Sequence, residues 1–187
     1  SLEESAMAVG VAGWTNPDLI LYHGTIQSSA TSILAGIKLT ASRTRTDFGL
    51  GFYTTTSEQQ ARNWANKLTA IYNTRNPLAP PETPAVVEFT LERDKLASLE
   101  SIWFVRGDAN ADDYWDLVQH FRIGSVTGKH HQRTYPKTWF DIAIGPLAAS
   151  WSPVRRMIAD SDQISFHTSP AVALLNGLLA LKKRQIP

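Results

Sequence analysis

DFGLGFYTTTSEQQARNWANKL, residues Asp47 to Leu68, joins a strand directly to a helix. Gly49 and Gly51 flank Leu50, and the run Phe52-Tyr53-Thr54-Thr55 is aromatic and β-branched, which suits a pleated strand. Ser57 with Gln60 three residues later is a capping-box pattern. Ala61, Trp64, Ala65 and Leu68 then recur at i, i+3, i+4 and i+7, the spacing of one helix face. The junction holds two rings, Tyr53 and Trp64, near one edge of a cleft. Two rings facing across a gap can sandwich a flat ligand, with stacking contributing roughly 0.5–1.5 kcal/mol beyond area burial. A core position would account for the same two rings, since aromatic stripes are usually core.

Upstream, Leu19-Ile20-Leu21-Tyr22 predicts a first strand that stops at the polar triplet His23-Gly24-Thr25. A glycine there lets the backbone come close to a ligand. Ser28 to Ile37 predicts a helix ended by Gly36, followed by a polar loop, 41–46, that carries Arg43 and Arg45. Residues 1–18 read as an irregular lead-in, and 19–187 as one domain. Downstream, 76–84 is a proline-rich loop and Ala85 to Glu92 alternates as a half-buried strand, with Glu88 toward solvent. Ser101 to Val105 is an apolar stretch, Arg106-Gly107-Asp108 a turn and Ala111 to Ile123 a helix. A basic loop over 124–138 holds His130 and His131, with no carboxylate spaced to complete a metal site. Trp139 to Ile144 predicts a strand, Ser152 to Ile158 a short helix, Asp162 to Thr168 a strand and Ala171 to Leu181 a closing helix. Lys182-Lys183-Arg184 then sit in its last turn, where cations suit the helix dipole.

The 187 residues, 43% hydrophobic, suffice for one domain with a core. A net charge of +1 carries no electrostatic footprint for nucleic acid. The chain has no cysteine, which excludes disulfides, thiolate catalysis and cysteine-ligated metals. No apolar run approaches the roughly 20 residues of a membrane span, and the acidic start is unlike a signal peptide.

Tyr22-His23-Gly24-Thr25, a helix ending in Ala35-Gly36-Ile37, and Gly51-Phe52-Tyr53-Thr54-Thr55 with Ala61 and Trp64 following together resemble the NAD-binding half of the ADP-ribosyltransferases. The branch is the one holding diphtheria toxin and the poly(ADP-ribose) polymerases. The resemblance implies an α+β fold with a split mixed β-sheet and flanking helices, and NAD as substrate without a metal. Gly24 would hold the nicotinamide carboxamide, Tyr53 and Trp64 would sandwich its ring, and His23 would bond a ribose hydroxyl. Thr25 would lie toward the adenosine side, Gly49 in the turn at the cleft's rim, and Arg45 would meet the pyrophosphate. The family's third signature is a glutamate opening a late strand, and here Gln163 stands in its place. The triad then reads His23, Tyr53, Gln163. A hydrogen bond to a charged group contributes about 1.5–3 kcal/mol and a neutral one about 0.5–1.5, so roughly one decade of rate separates the two residues. Asp162 cannot substitute, because neighbours on a strand face opposite ways.

The expected activity is mono-ADP-ribosyl transfer from NAD to a macromolecule, a protein ahead of a nucleic acid, with release of nicotinamide. Two alternatives stay open: an NAD glycohydrolase, and a non-catalytic module that binds NAD, ADP-ribose or a protein in the same cleft. The protein would act in its own cytoplasm, or as an effector exported into another cell.

Overall fold

The strand-forming runs on either side of the glycine-rich stretch go to two different sheets. This is seen in a computed structural model that describes residues 16–41, 46–105, 111–123, 139–177 and 180–187. Arg43, Arg45, the Arg106-Gly107-Asp108 turn, the 124–138 loop and most of the lead-in lie outside the described residues. Elements follow in the order β1 (Leu19–Ile26), α1 (Gln27–Ala35), a 3-10 turn (Leu39–Ala41), β2 (Phe52–Thr54), α2 (Glu58–Arg75), β3 (Pro84–Leu91), α3 (Arg93–Leu96) and β4 (Ser101–Trp103). After these come α4 (Ala111–Ile123), β5 (Ile142–Gly145), β6 (Ala148–Ser150), β7 (Arg156–Met157), β8 (Gln163–Phe166), α5 (Ser169–Leu175) and β9 (Ala180–Ile186). The class is α+β.

One sheet is antiparallel, in the order β1-β3-β9. The other is mixed, in the order β2-β8-β5-β4, with β4 and β5 parallel. The two sheets touch through an isolated antiparallel bridge at Tyr22 and Thr55, whose backbones exchange hydrogen bonds of 2.8 and 2.9 Å. Leu21, Val87, Phe89 and Leu91 pack from the first sheet onto Phe52, Ile164 and Phe166 of the second, with α1 and α5 closing the same core. Burying each such large side chain contributes roughly 1.5–3 kcal/mol. On the opposite face of the first sheet, Ala61 and Ala65 of α2 meet Val86. A second core gathers Phe48, Tyr114, Leu117, Val118 and Trp139 under α4.

The predicted α2 is observed, with the Ser57 side chain accepting from the Gln60 N–H at 3.2 Å. Several expectations are corrected. The first strand runs on through the polar triplet to Ile26, because all of Leu19–Ile26 pairs with β3. The region 152–158 is not a helix: its last residues form β7, which pairs with β6. The closing helix ends at Leu175, where Asn176 caps it and Gly177 follows at φ +97°, a left-handed conformation that favours glycine. The chain beyond becomes β9, and Lys183 and Arg184 pair with Phe89 and Glu88 rather than ending a helix. Glu88 accordingly meets Arg184 at 2.9 Å instead of standing in solvent. Val86, on the same face of its strand as Glu88, is buried because α2 lies across it.

Candidate functional site

Past the Tyr22–Thr55 bridge no further pairing joins the two sheets among the described residues, and the polar triplet borders this gap in the pairing. His23 stacks on Phe52 with ring centroids 4.5 Å apart. Its Nδ1 lies 2.6 Å from the Tyr53 carbonyl oxygen. A carbonyl only accepts, so Nδ1 carries the hydrogen and Nε2 presents a lone pair. Burial holds the imidazole below the ordinary histidine value, against the opposing effect of the bond to Tyr53. The ring is therefore neutral at pH 7.

Gly24 has a packing reason to be glycine. A methyl group there would lie 1.9 Å from the Ala61 carbonyl oxygen, because α2 crosses directly over the strand. Backbone groups along a strand alternate in direction. Tyr22 exchanges its hydrogen bonds with Thr55, so Gly24, two residues on, turns its N–H and C=O the same way, away from β3 and toward the side of β2. Thr25 follows, with 6% of its surface exposed.

Tyr53 is fixed by its hydroxyl, which accepts from the Phe48 N–H at 3.0 Å and lies 2.7 Å from the Gly49 carbonyl and 2.8 Å from Thr46 Oγ1. Burial raises the phenol pKa far above its usual value, so it stays protonated. Its ring packs on Phe48 and edge-on to His167. Trp64 is 43% exposed on α2, with Lys67 Nζ 5.4 Å from its ring centroid. The two rings make no mutual contact among the described residues. A pair that sandwiches a third ring needs a gap of about 7 Å, twice a van der Waals contact.

The third member of the proposed triad has a different setting. Gln163 is 3% exposed, and its Nε2 donates to Asp47 Oδ2 at 2.7 Å and to the Pro146 carbonyl at 2.8 Å. Both partners only accept, so both amide hydrogens point inward. Asp47, 1% exposed, also receives the Ala148 N–H at 2.9 Å, Arg122 Nε at 2.8 Å and Arg122 Nη2 at 2.6 Å. The Arg122 guanidinium in turn lies over Trp151, 4.5 Å from its centroid. Asp162 faces the other way from Gln163, as expected for a strand neighbour, and accepts from the hydroxyls of Thr55 and Thr56.

Sequence reasoning passed over two groups that border this region. In sequence Asp47 reads only as the start of a turn, and its arginine partner lies 75 residues away, beyond any local signal. His167 is fully buried, with Nδ1 2.8 Å from the Leu50 carbonyl and Nε2 2.8 Å from Ser165 Oγ. Ser165 Oγ also lies 3.0 Å from the Ala143 carbonyl. With Nδ1 protonated toward Leu50, the one serine hydrogen serves either Nε2 or Ala143. Burial lowers the His167 pKa to about 4. Among the described residues, no group of three or more histidine or acidic side chains is placed to hold a metal, and no helix is long and apolar enough to cross a membrane.

A family described as "Protein of unknown function (DUF3990)" matches residues 19–160. The chain belongs to the DUF3990 family. The matched span begins with β1 and holds His23, Gly24, Tyr53 and Trp64. It stops before Gln163, so the DUF3990 match covers the parted strands and α2 but not β8, α5 or β9. Neither a search of curated proteins nor one of solved structures returned a match.

Proposed function

We propose that the gap beside β1 binds NAD and that the protein transfers ADP-ribose from it to a macromolecular acceptor, a protein rather than a nucleic acid. The fold is then the ADP-ribosyltransferase type of split sheet. The observation that carries this reading is the pairing of uncommitted polar groups on His23 and Gly24: a neutral imidazole with its Nε2 lone pair available, next to a glycine N–H and C=O turned into the gap. A carboxamide needs one donor and one acceptor, which a single backbone residue supplies. A ribose hydroxyl needs an acceptor, which Nε2 supplies. In the reaction the bond from ribose C1′ to the nicotinamide nitrogen breaks, and the leaving ring keeps the electron pair. A nucleophilic atom of the acceptor then bonds C1′ and loses its proton. Gly24 and the rings of Tyr53 and Trp64 hold the leaving group, and His23 orients the ribose.

A second reading is favoured by one observation. Gln163 directs both amide hydrogens at Asp47 and Pro146, and its neutral Oε1 offers little to a developing cation. A module that binds NAD, ADP-ribose or a protein without turnover needs nothing more from that position. Incubation with NAD labelled in the adenosine portion, alone and with a cell lysate, separates the readings. Label on protein together with free nicotinamide is the expected result, lost in His23→Ala while the thermal midpoint stays within a few degrees. Nicotinamide release without label on protein indicates a hydrolase. Binding with neither product indicates a module, and absence of NAD binding sinks the site.

A further inference from the structure

β4 is the outer strand of the second sheet, with β5 on one side and no strand on the other among the described residues. Its hydrogen bonds show which way its backbone faces. The Phe104 N–H donates to the Ile144 carbonyl at 2.8 Å, and the Glu100 carbonyl accepts the Ile142 N–H at 3.2 Å. Both residues are therefore turned toward β5. Backbone groups alternate along a strand, so Ser101, Trp103 and Val105 turn their N–H and C=O outward, where they meet no backbone partner among the described residues. The side chains follow the same division. Ile102 and Phe104 pack into the second core, whereas Trp103 is 66% and Val105 69% exposed. The Trp103 indole is laid back along the strand, its Nε1 donating to Ser101 Oγ at 2.9 Å.

Single exposed apolar residues need no explanation. An exposed tryptophan and valine on one face of an unpaired strand differ, because one partner can cover side chains and backbone together. Native edges are usually blunted by charge, a bulge or a cover. β9, the outer strand of the first sheet, carries Lys182, Lys183 and Arg184, and its pairing with β3 is interrupted by a register shift. β2, at the other end of the second sheet, is followed by Thr55, which bridges to β1. The run Ser101 to Val105 has no charged residue and no proline, and its pairing with β5 is unbroken.

We infer that β4 is a dimerisation edge, pairing antiparallel with β4 of a second copy of this chain about a twofold axis at Trp103. With Trp103 opposite its own counterpart, Ser101 stands opposite the partner's Val105, and every outward N–H and C=O of the three residues is bonded. Directly opposite side chains share a face. The indole laid over Ser101 then lies against the partner's Val105, and the two indoles cover the centre of the seam. A foreign peptide could match the same backbone groups but would have to be ordered first, whereas a second β4 is already extended and held by β5. The paired edge is short, below the roughly 1,200 Å² of a standard interface, so the dimer is weak and reversible. β8 and β5 lie between β4 and β2, so the pairing leaves the gap beside β1 open and does not depend on the NAD reading.

Sedimentation equilibrium of the full chain, from micromolar to near-millimolar concentration, should show a reversible monomer–dimer system. Trp103→Lys sets like charges opposite each other at the axis. It should weaken association about tenfold or more, with the thermal midpoint unchanged because the side chain is exposed. The chain has no cysteine, so introduced thiols read the register on oxidation. Ser101→Cys together with Val105→Cys should link two copies into a covalent dimer. Ser101→Cys alone should not, since about 13 Å of strand separates position 101 from its counterpart in this register. A monomer at every concentration, which would leave the edge to solvent or to a different polypeptide, overturns the inference. So does a dimer that Trp103→Lys leaves intact, or one that the paired cysteines fail to link. None of these outcomes bears on whether NAD is used in the gap, which the labelling experiment reads separately.

Discussion

The gap beside His23 and the interior around Asp47 are both built from polar groups set among aromatics, yet they differ in what those groups are doing. Around Asp47 every partner is internal: the carboxylate is surrounded by Arg122, Ala148 and Gln163, and both Gln163 amide hydrogens are taken. Beside His23 only half the capacity is used, with Nδ1 bonded to Tyr53, Nε2 bonded to no described residue, and the Gly24 backbone groups turned away from β3. A buried polar network that is complete fixes one packing of the chain. One that is left open at a partly exposed edge leaves hydrogen-bonding capacity for a ligand. The difference separates the residues that hold the molecule together from those that meet something else.

The comparison breaks most readily at Asp47. Asp47→Ala removes one member of a buried ion pair and leaves Arg122, Gln163 and the Ala148 N–H without their acceptor. A loss of about 4 kcal/mol is expected, read as a lower urea midpoint. A loss below about 1 kcal/mol would mean that the interior is not the complete network described.

His167 gives the next largest effect, through pH. Its folded pKa of about 4 lies below the ordinary 6.5, so the unfolded chain binds the proton first. The stability that this group contributes is fully present above about pH 6.5 and falls as pH drops toward 4, by about 3 kcal/mol in all. Below pH 4 it contributes no further loss. Urea unfolding between pH 7 and pH 4 should show a steeper decline than in His167→Gln, and parallel curves would refute the assignment.

The smallest effect sharpens the contrast. A glutamate at position 163 is what the resemblance to the transferases calls for, but here it would place a second carboxylate against Asp47. Gln163→Glu should cost about 2 kcal/mol at pH 8. Protonating the introduced carboxyl removes the like-charge contact, so this cost shrinks as pH falls. Higher NAD turnover with unchanged stability would instead show that position 163 faces the gap.

These outcomes bear on how much the sequence revealed. The strand–helix junction was legible because its signals are local: the Ser57 cap, the alanines at helical spacing, the β-branched run. The triplet His23-Gly24-Thr25 was legible as a polar interruption in an apolar strand, although pairing with β3 carries that strand past it. The last strand was not legible, because Ala-Leu-Lys-Lys suits a helix as well as a strand. The choice was made by Gly177 and by β3 ninety-odd residues earlier in the chain. The role of Gln163 was hidden for the same reason, its acceptor lying 116 residues away. Arg43 and Arg45 lie near Asp47 in sequence, whereas the arginine that reaches it, Arg122, comes from α4.

Gln60 has a consequence for the helix that carries Trp64. Its side-chain amide reads Asp162 as a neighbouring strand would, donating to the Asp162 carbonyl at 2.7 Å and accepting its N–H at 3.2 Å. Two residues on from the β2 bridge, Asp162 also clasps Thr55 and Thr56, so the start of α2 is spliced into the edge of the second sheet. A helix held only by apolar packing can slide or rotate by a fraction of a turn when something presses on its exposed face. This one cannot do so without releasing the backbone of Asp162 from Gln60. Any molecule that leans on Trp64 therefore meets a helix of fixed phase, and the position of that ring relative to the gap is set by a glutamine one turn away.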